Sequence, residues 1–179
     1  MTNGQCSSAG HTGPSGSSGS LGSEPIRLVS FDIDQEQFAV DILRVQEINR
    51  MMSLTKIPQS PQGVRGVINL RGRLVPVLDL RTRLGLDPID PSDASRIIVV
   101  DILGSTIGFI VDAVHEVLEV DPATVEPTPA ITTCADMSYI QGVAKIGEKL
   151  LILLDLDNLL TSETLQAIDA VGTSSQKAA

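Results

Sequence analysis

The sequence predicts a mainly β protein built as two five-stranded β-barrels in tandem, with short helices that include a C-terminal one. Three observations predict it. First, the chain repeats itself. Val45–Ile48 shifted by 69 positions falls on Val114–Val117, and Gly66–Leu84 shifted by 76 falls on Gly142–Leu160, with seven of 19 positions identical. Second, apolar residues alternate with polar ones at the period of two that marks a half-buried strand. Third, glycines stand between such runs, where a tight hairpin needs positive φ. Units of about five short strands close best as barrels, because closure removes exposed edges. Neither unit has much core of its own, so the first and last strands are expected to exchange or share a seam.

The elements follow in order. Residues 1–25 are rich in Gly and Ser and nearly devoid of apolar side chains, so they cannot offset the entropy of ordering and are expected to be disordered. In the first barrel, about 26–86, Val29, Phe31 and Ile33 alternate with Ser30, Asp32 and Asp34, a turn follows at Asp34-Gln35-Glu36, and Phe38, Val40 and Ile42 return. Val67–Leu70, turning at Arg71-Gly72 into Leu74–Leu78, makes its closing hairpin. Pro76 has no N–H, which predicts an edge strand or a bulge there. Asp79 precedes a short amphipathic stretch, Leu80–Leu84, and reads as its N-cap, with Gly85 as C-cap. Asp87–Ser95, with Pro88 and Pro91, is the linker.

The second barrel, about 95–154, repeats the plan. Ile97–Ile102 turns at Leu103-Gly104-Ser105 and returns through Ile107, Phe109 and Val111. A longer loop, Asp121–Met137, accounts for the change of shift from 69 to 76. Val143–Ile146 turns at Gly147-Glu148 into Leu150–Leu154, and Asp155 caps a second short helix over Leu156–Leu160. A last helix over Ser162–Ala170, with Ser162 as N-cap, completes the helical part at 156–170, and 171–179 is a frayed tail.

Composition narrows function. The 179 residues are 42% apolar, largely aliphatic, with three Phe, one Tyr and no Trp, and the net charge is −9. An acidic chain of this kind has no general affinity for nucleic acid. No stretch approaches the roughly 18 apolar residues of a membrane span, and no secretory signal is expected, since the first residues show neither a basic nor an apolar region. Charge is uneven: Arg44–Arg83 holds eight basic residues against Glu47 and Asp79, while the remainder is strongly acidic. Such a segment suits an acidic partner surface, or a set of solvated arginines that keeps strand edges soluble. It contains no aromatic residue on which a base could stack, which weighs against a nucleic-acid-binding tandem barrel.

Catalytic chemistry is not written here. Of the two histidines, His11 lies in the tail and His115 in strand-like sequence as a surface residue. Neither has neighbours at zinc spacing. Phosphate loops, dinucleotide fingerprints and serine-nucleophile turns are missing. Cys6 and Cys134 read as unpaired thiols. Asp79 and Asp155 occupy equivalent places in the two copies, which helix capping explains. Neither catalytic residue, metal nor cofactor is expected, and the chain reads as an interaction protein rather than an enzyme.

The run Gly66-Val67-Ile68-Asn69-Leu70-Arg71-Gly72-Arg73-Leu74-Val75-Pro76-Val77-Leu78-Asp79-Leu80-Arg81 closely resembles the signature of the CheW-like chemotaxis coupling proteins. So do Val40–Ile48 upstream and Ile110-Val111-Asp112, Gly142-Val143 and Leu151-Ile152-Leu153 downstream, so that the resemblance spans about residues 26–168. It implies two SH3-like five-stranded β-barrels in tandem. It implies a non-catalytic adaptor between the cytoplasmic tips of chemoreceptors (methyl-accepting chemotaxis proteins) and the regulatory domain of a histidine kinase. That protein would work in the cytoplasm and be recruited to membrane receptor arrays, without inserting in the membrane. A coupling module for a different receptor–kinase pathway is the neighbouring alternative. Carried over residue by residue, the resemblance implies receptor contacts at Val45, Glu47, Gly66, Arg71 and Ile97, and receptor or kinase coupling at Gly108 and Gly142. Ser95 and Arg96, just before Ile97, depart from the smaller or apolar residues common in relatives. Glu47 and Arg71 are expected to pair and hold a receptor-docking groove in shape, against the plainer alternative of a surface ion pair worth roughly 0–1 kcal/mol. For Gly66 two explanations stand side by side: room for a docked helix, or a backbone with positive φ.

Overall fold

The computed structural model describes residues 24–128 and 138–174, where eleven strands and three α-helices follow one another. The first copy holds β1 (Ile26–Ile33), β2 (Glu36–Asp41), β3 (Val45–Arg50), β4 (Val64–Leu70), β5 (Arg73–Asp79) and α1 (Leu80–Arg83). The second holds β6 (Arg96–Ile102), β7 (Ser105–Val111), β8 (Ala113–Val120), β9 (Val125–Glu126), β10 (Ile140–Ile146), β11 (Lys149–Leu154), α2 (Leu156–Leu159) and α3 (Ser162–Ser174). The expected disorder of residues 1–23, Cys6 and His11 within them, and Cys134 all lie outside the described residues, as do 175–179. The last helix continues to Ser174, through positions expected to fray.

The predicted barrels are not what forms. The strands make two open sheets, one of six strands in the order β8-β1-β2-β11-β10-β9 and one of five in the order β3-β6-β7-β5-β4. Each sheet draws on both copies. The opening hairpin of the first copy, β1–β2, joins β8, β10 and β11 of the second, and β6–β7 of the second joins β3, β4 and β5 of the first. The exchange is reciprocal down to the register: Val77 faces Gly108 in one parallel seam and Leu153 faces Ala39 in the other, which are equivalent positions of the repeat.

Closure fails for an identifiable reason. In the six-stranded sheet the last strand, β9, has only two residues, is followed at once by Pro127, which cannot extend a ladder as a donor, and is not paired with β8. In the five-stranded sheet the connection from β3 to β4 carries Pro58 and Pro61 and reaches β4 by a single bridge. There Thr55 N donates to Val67 O and Val67 N to Thr55 O, both at 2.9 Å. The sheets are nevertheless curled. Six flat strands would separate β8 from β9 by roughly 24 Å at the usual spacing, whereas the five residue steps from Val120 to Val125 reach at most about 18 Å when fully extended.

Pro76 is not on an edge, since β5 lies between β4 and β7. It opposes Val67, which turns both of its backbone groups outward to Thr55, so nothing in β4 asks Pro76 for a proton. The β7 pairing begins one residue later, at Val77.

Hydrophobic packing follows the exchange. One central cluster joins the sheets through Val29, Phe31, Ile33, Ile98, Val100, Ile102 and Phe109, with Leu78, Leu154 and Leu159 between them. Each sheet also folds around its own smaller cluster, with Ile97 and Val99 in the five-stranded lobe and Leu28 and Leu151 in the six-stranded one. Successive residues of β6 thus serve different cores, which is why the strand reads Ile-Ile-Val-Val rather than alternating with polar residues.

The capping predictions resolve individually. Asp79 and Asp155 accept from the first free N–H groups of α1 and α2, at 3.0 Å from Arg81 N and 3.0 Å from Asp157 N. Gly85 ends α1 with φ 79°, while Leu86 N returns to Arg81 O and Gly85 N to Thr82 O, the paired bonds of a Schellman end. For α3 the cap is Thr161, not Ser162: the Thr161 hydroxyl accepts from Thr164 N at 3.3 Å, and the first helical bond runs from Leu165 N to Thr161 O.

Candidate functional site

The sequence-predicted residues collect on the five-stranded lobe, with one exception. Glu47 lies on the edge strand β3 opposite Val99, and Asn49 lies opposite Ile97. Cross-strand partners share a face, so both side chains stand at the mouth of that lobe, over its apolar cluster. Arg71 occupies the tip of the β4–β5 hairpin in a left-handed conformation, φ 53°, and reaches back so that its Nη2 lies 3.2 Å from Glu47 Oε2. Asn49 donates from Nδ2 to the other oxygen, Oε1, at 2.7 Å. The carboxylate is held from both sides, between a guanidinium 87% exposed and a half-buried amide.

Val45 begins β3, half-buried against the central cluster. Ile97 is fully buried, and a Cβ on Gly108 would stand 2.9 Å from Ile97 Cγ2 and 3.2 Å from Val77 Cγ2. These two shape the floor of the lobe and present nothing to solvent. Gly66 is buried with φ 153°, and a Cβ there would sit 2.5 Å from the Thr55 carbonyl oxygen. Gly142, the exception, lies in the other lobe and meets the Glu126 carbonyl in the same way, at 2.8 Å. The bridge at Thr55 and the short strand β9 are therefore counterparts, and each glycine lets a crossing chain pass.

The other mouth is built differently. At the positions equivalent to Glu47, Asn49 and Arg71 the second copy has Glu116, Leu118 and Gly147. The mouth of the six-stranded lobe has neither that amide nor that guanidinium and is a groove of about 730 Å³, lined by Asp32, Glu36, Glu116, Leu118, Ile146 and Leu150 among others. His115, predicted at the surface, pairs there with Asp32 at 2.6 Å. Exposed aliphatic residues stand in equivalent places on the two lobes, Ile48 and Leu74 on one and Val117 and Leu150 on the other.

The basic segment is largely engaged within the molecule. Arg44 pairs with Asp157 at 2.7 Å, Arg65 with Asp79 at 3.1 Å, and Arg81 with Asp112 at 2.6 Å and Asp34 at 3.2 Å. Arg83 donates to the Leu159 carbonyl at 2.6 Å. Burial works against the Arg81 charge, but Asp112 and Asp34 outweigh it and hold the guanidinium above its ordinary range. Arg50, Lys56 and Arg73 are exposed and make no ion pair among the described residues. No group of three or more metal-ligating side chains occurs among the described residues, and no helix among them is long and apolar enough to cross a membrane.

Comparison with known proteins agrees with this geometry. The CheW-like domain matches residues 27–164. The chain belongs to the CheW-like family. It is 35% identical over 140 residues to the "Probable chemotaxis protein CheW" of Rhizobium etli, covering 78% of this chain and 90% of that one. It is 33% identical over 144 residues to the "Chemotaxis protein CheW" of Klebsiella aerogenes, covering 80% and 87%. Among solved structures, the scaffolding protein TtCheW of Thermoanaerobacter tengcongensis matches with a TM-score of 0.72 and 41% identity, covering 78% of this chain and 95% of that one. As a CheW-like protein the chain is a non-catalytic adaptor that couples chemoreceptors to a histidine kinase.

Two contributors escaped sequence reasoning. Asn49 and Thr55 lie in stretches where nothing but their place on the same face as Glu47, or opposite Gly66, would single them out. Counting two residues on from Glu47 could have found the first; the second depends on how a proline-bearing loop lies, which periodicity does not reveal.

Proposed function

We propose that the adaptor holds its two partners with its two lobes. The mouth of the five-stranded lobe, with the Glu47–Arg71 pair and the exposed Ile48, Met52 and Leu74 near it, takes the cytoplasmic tip of a chemoreceptor. An amphipathic helix of such a tip would lay its apolar stripe on the aliphatic residues and its charges on the pair. The six-stranded lobe, through Val117, Ile146 and Leu150, meets the regulatory domain of the kinase. Val45, Gly66, Ile97 and Gly108 then act by giving the receptor-side lobe its shape, and Gly142 does the same for the other. Two separate interfaces on one molecule allow assembly into arrays beneath membrane receptors.

The observation that supports this reading is the inequality of the two mouths, one clamped by an ion pair and one open, where Leu118, Ile146 and Leu150 stand among polar and charged side chains. Capture of a receptor cytoplasmic fragment and of the kinase, measured side by side, tests it. Arg71→Ala should weaken receptor capture and spare the kinase, and Leu150→Asp should do the reverse. Loss of both partners, or of neither, with either folded variant would refute the division. A kinase assay with receptor, with and without the protein, reads the coupling itself.

A further inference from the structure

We infer that Asn49 is a positioning residue: it fixes the Glu47 carboxylate so that Arg71 is presented in one orientation at the mouth of the five-stranded lobe. The inference rests on the reading of that mouth as a receptor-docking surface, and its test separates the two.

The geometry is specific. Glu47 and Asn49 lie two apart on β3 and share a face. The amide takes Oε1 at 2.7 Å and leaves Oε2 to Arg71 at 3.2 Å. Arg71 is almost wholly exposed, this carboxylate is its ion-pair partner among the described residues, and a free guanidinium would sample many rotamers. Glu47 itself has several rotamers available on an exposed edge strand, and one donor from the guanidinium alone would not choose among them. The second donor does.

The molecule contains its own control. The second copy forms the same strands, the same bulge before its glycine and the same hairpin with Leu118 in place of Asn49 and Gly147 in place of Arg71. Both donors are missing together, Glu116 remains, and the fold is complete. The clamp is therefore not a requirement of folding; it belongs to what one mouth does and the other does not.

Two substitutions test this in the full chain, with Glu47→Ala as background. Asn49→Ala removes the donor; Asn49→Asp keeps the shape, removes the donor and sets a like charge beside Glu47. Scalar couplings of the Glu47 side chain in the free protein should report one rotamer in the parent and averaging in both variants, with unchanged melting. Capture of a receptor fragment should weaken roughly fivefold with Asn49→Ala and further with Asn49→Asp, and neither should add to the loss caused by Glu47→Ala. A Glu47 rotamer indifferent to Asn49, or losses that add in the Glu47→Ala background, would overturn the inference. A Glu47 rotamer that loosens while Glu47→Ala itself leaves capture untouched would instead overturn the receptor reading and keep the positioning role.

Discussion

Arg81, in α1 just after β5 of the first copy, and Asp112, between β7 and β8 of the second, meet at 2.6 Å. On the other side of the repeat Asp157, the equivalent of Arg81, meets Arg44 of the first copy at 2.7 Å, one residue on from the equivalent of Asp112, so a similar junction is made with the charges exchanged. Each pair ties a residue of one copy to a residue of the other. Arg81 is the more buried, 10% exposed at its side chain, and also holds Asp34 and the Asp87 carbonyl.

Arg81→Ala should therefore cost about 2–4 kcal/mol, since it leaves Asp34 and Asp112 facing each other; the figure is set below that of a fully buried pair because both carboxylates reach water. Exchanging the pair, Arg81→Asp with Asp112→Arg, should recover part of the loss. Arg27→Ala, which breaks an exposed pair with Glu119, should stay within roughly 0.5 kcal/mol. Denaturant melts of the variants decide it. Because the Arg81 charge is held above its ordinary range, its contribution is fully present below the unfolded arginine pKa and fades only in strong alkali, so the loss on Arg81→Ala should be the same at pH 6 and pH 9.

The exchange of hairpins predicts that neither half folds alone. A fragment of residues 24–90 would keep β3, β4 and β5 but lose the β6–β7 hairpin that completes their sheet. It would also expose Phe31, Ile33 and Leu78 of the central cluster. Each fragment should lack dispersed amide resonances by NMR, and the two mixed or co-expressed should recover them. Two independently folded fragments would contradict the exchange.

Gly66→Ala and Gly142→Ala should both destabilise, by about 1–3 kcal/mol, because a methyl group would push on the backbone of the crossing chain rather than on a side chain that can turn away. Gly147→Asn should be nearly neutral: its φ is 61°, which asparagine tolerates, and nothing stands within 4 Å. Thermal melts of the three variants check the contrast. At Gly66 a constrained backbone is present, with Thr55 as the neighbour responsible, and receptor capture by a folded Gly66 variant would address room for a partner separately.

Much of this was legible because duplication reveals what each copy must share. The hairpins, the turn glycines, the two aspartate caps and the pairing of Glu47 with Arg71 follow from local chemistry that recurs or from the resemblance to a known family. Closure was not legible. Five strands with turn glycines suggest a barrel, but whether the last edge pairs depends on Pro58, Pro61, Pro122 and Pro127 in connections that periodicity treats as loops. Nor was the fate of the arginines, since a charge run looks the same in sequence whether it faces water, as Arg73 does, or an acid from the other copy, as Arg81 does. Pro76 shows the limit from the other side: its tolerance depends on where Val67 sends its own backbone groups.

Asp79 and Asp155 supply the last test, because the same cap is set in different surroundings. Both accept from the N-termini of short helices. Asp79 is 3% exposed at its side chain and takes Arg65 Nε on its second oxygen at 3.1 Å. Asp155 is half-buried and gives its second oxygen to the Asn158 amide at 2.7 Å. Asparagine retains the capping oxygen but not the charge. Asp155→Asn should therefore cost well under about 1 kcal/mol, the usual worth of a cap that is kept in part. Asp79→Asn should cost about 2–3 kcal/mol, because the buried carboxylate partner of Arg65 is lost along with the charge that favours the helix start. The excess at Asp79 should shrink in an Arg65→Ala background, where no cation remains to be left unpaired. Equal losses at the two aspartates would mean that capping alone accounts for both, and that Arg65 contributes no more than an exposed ion pair.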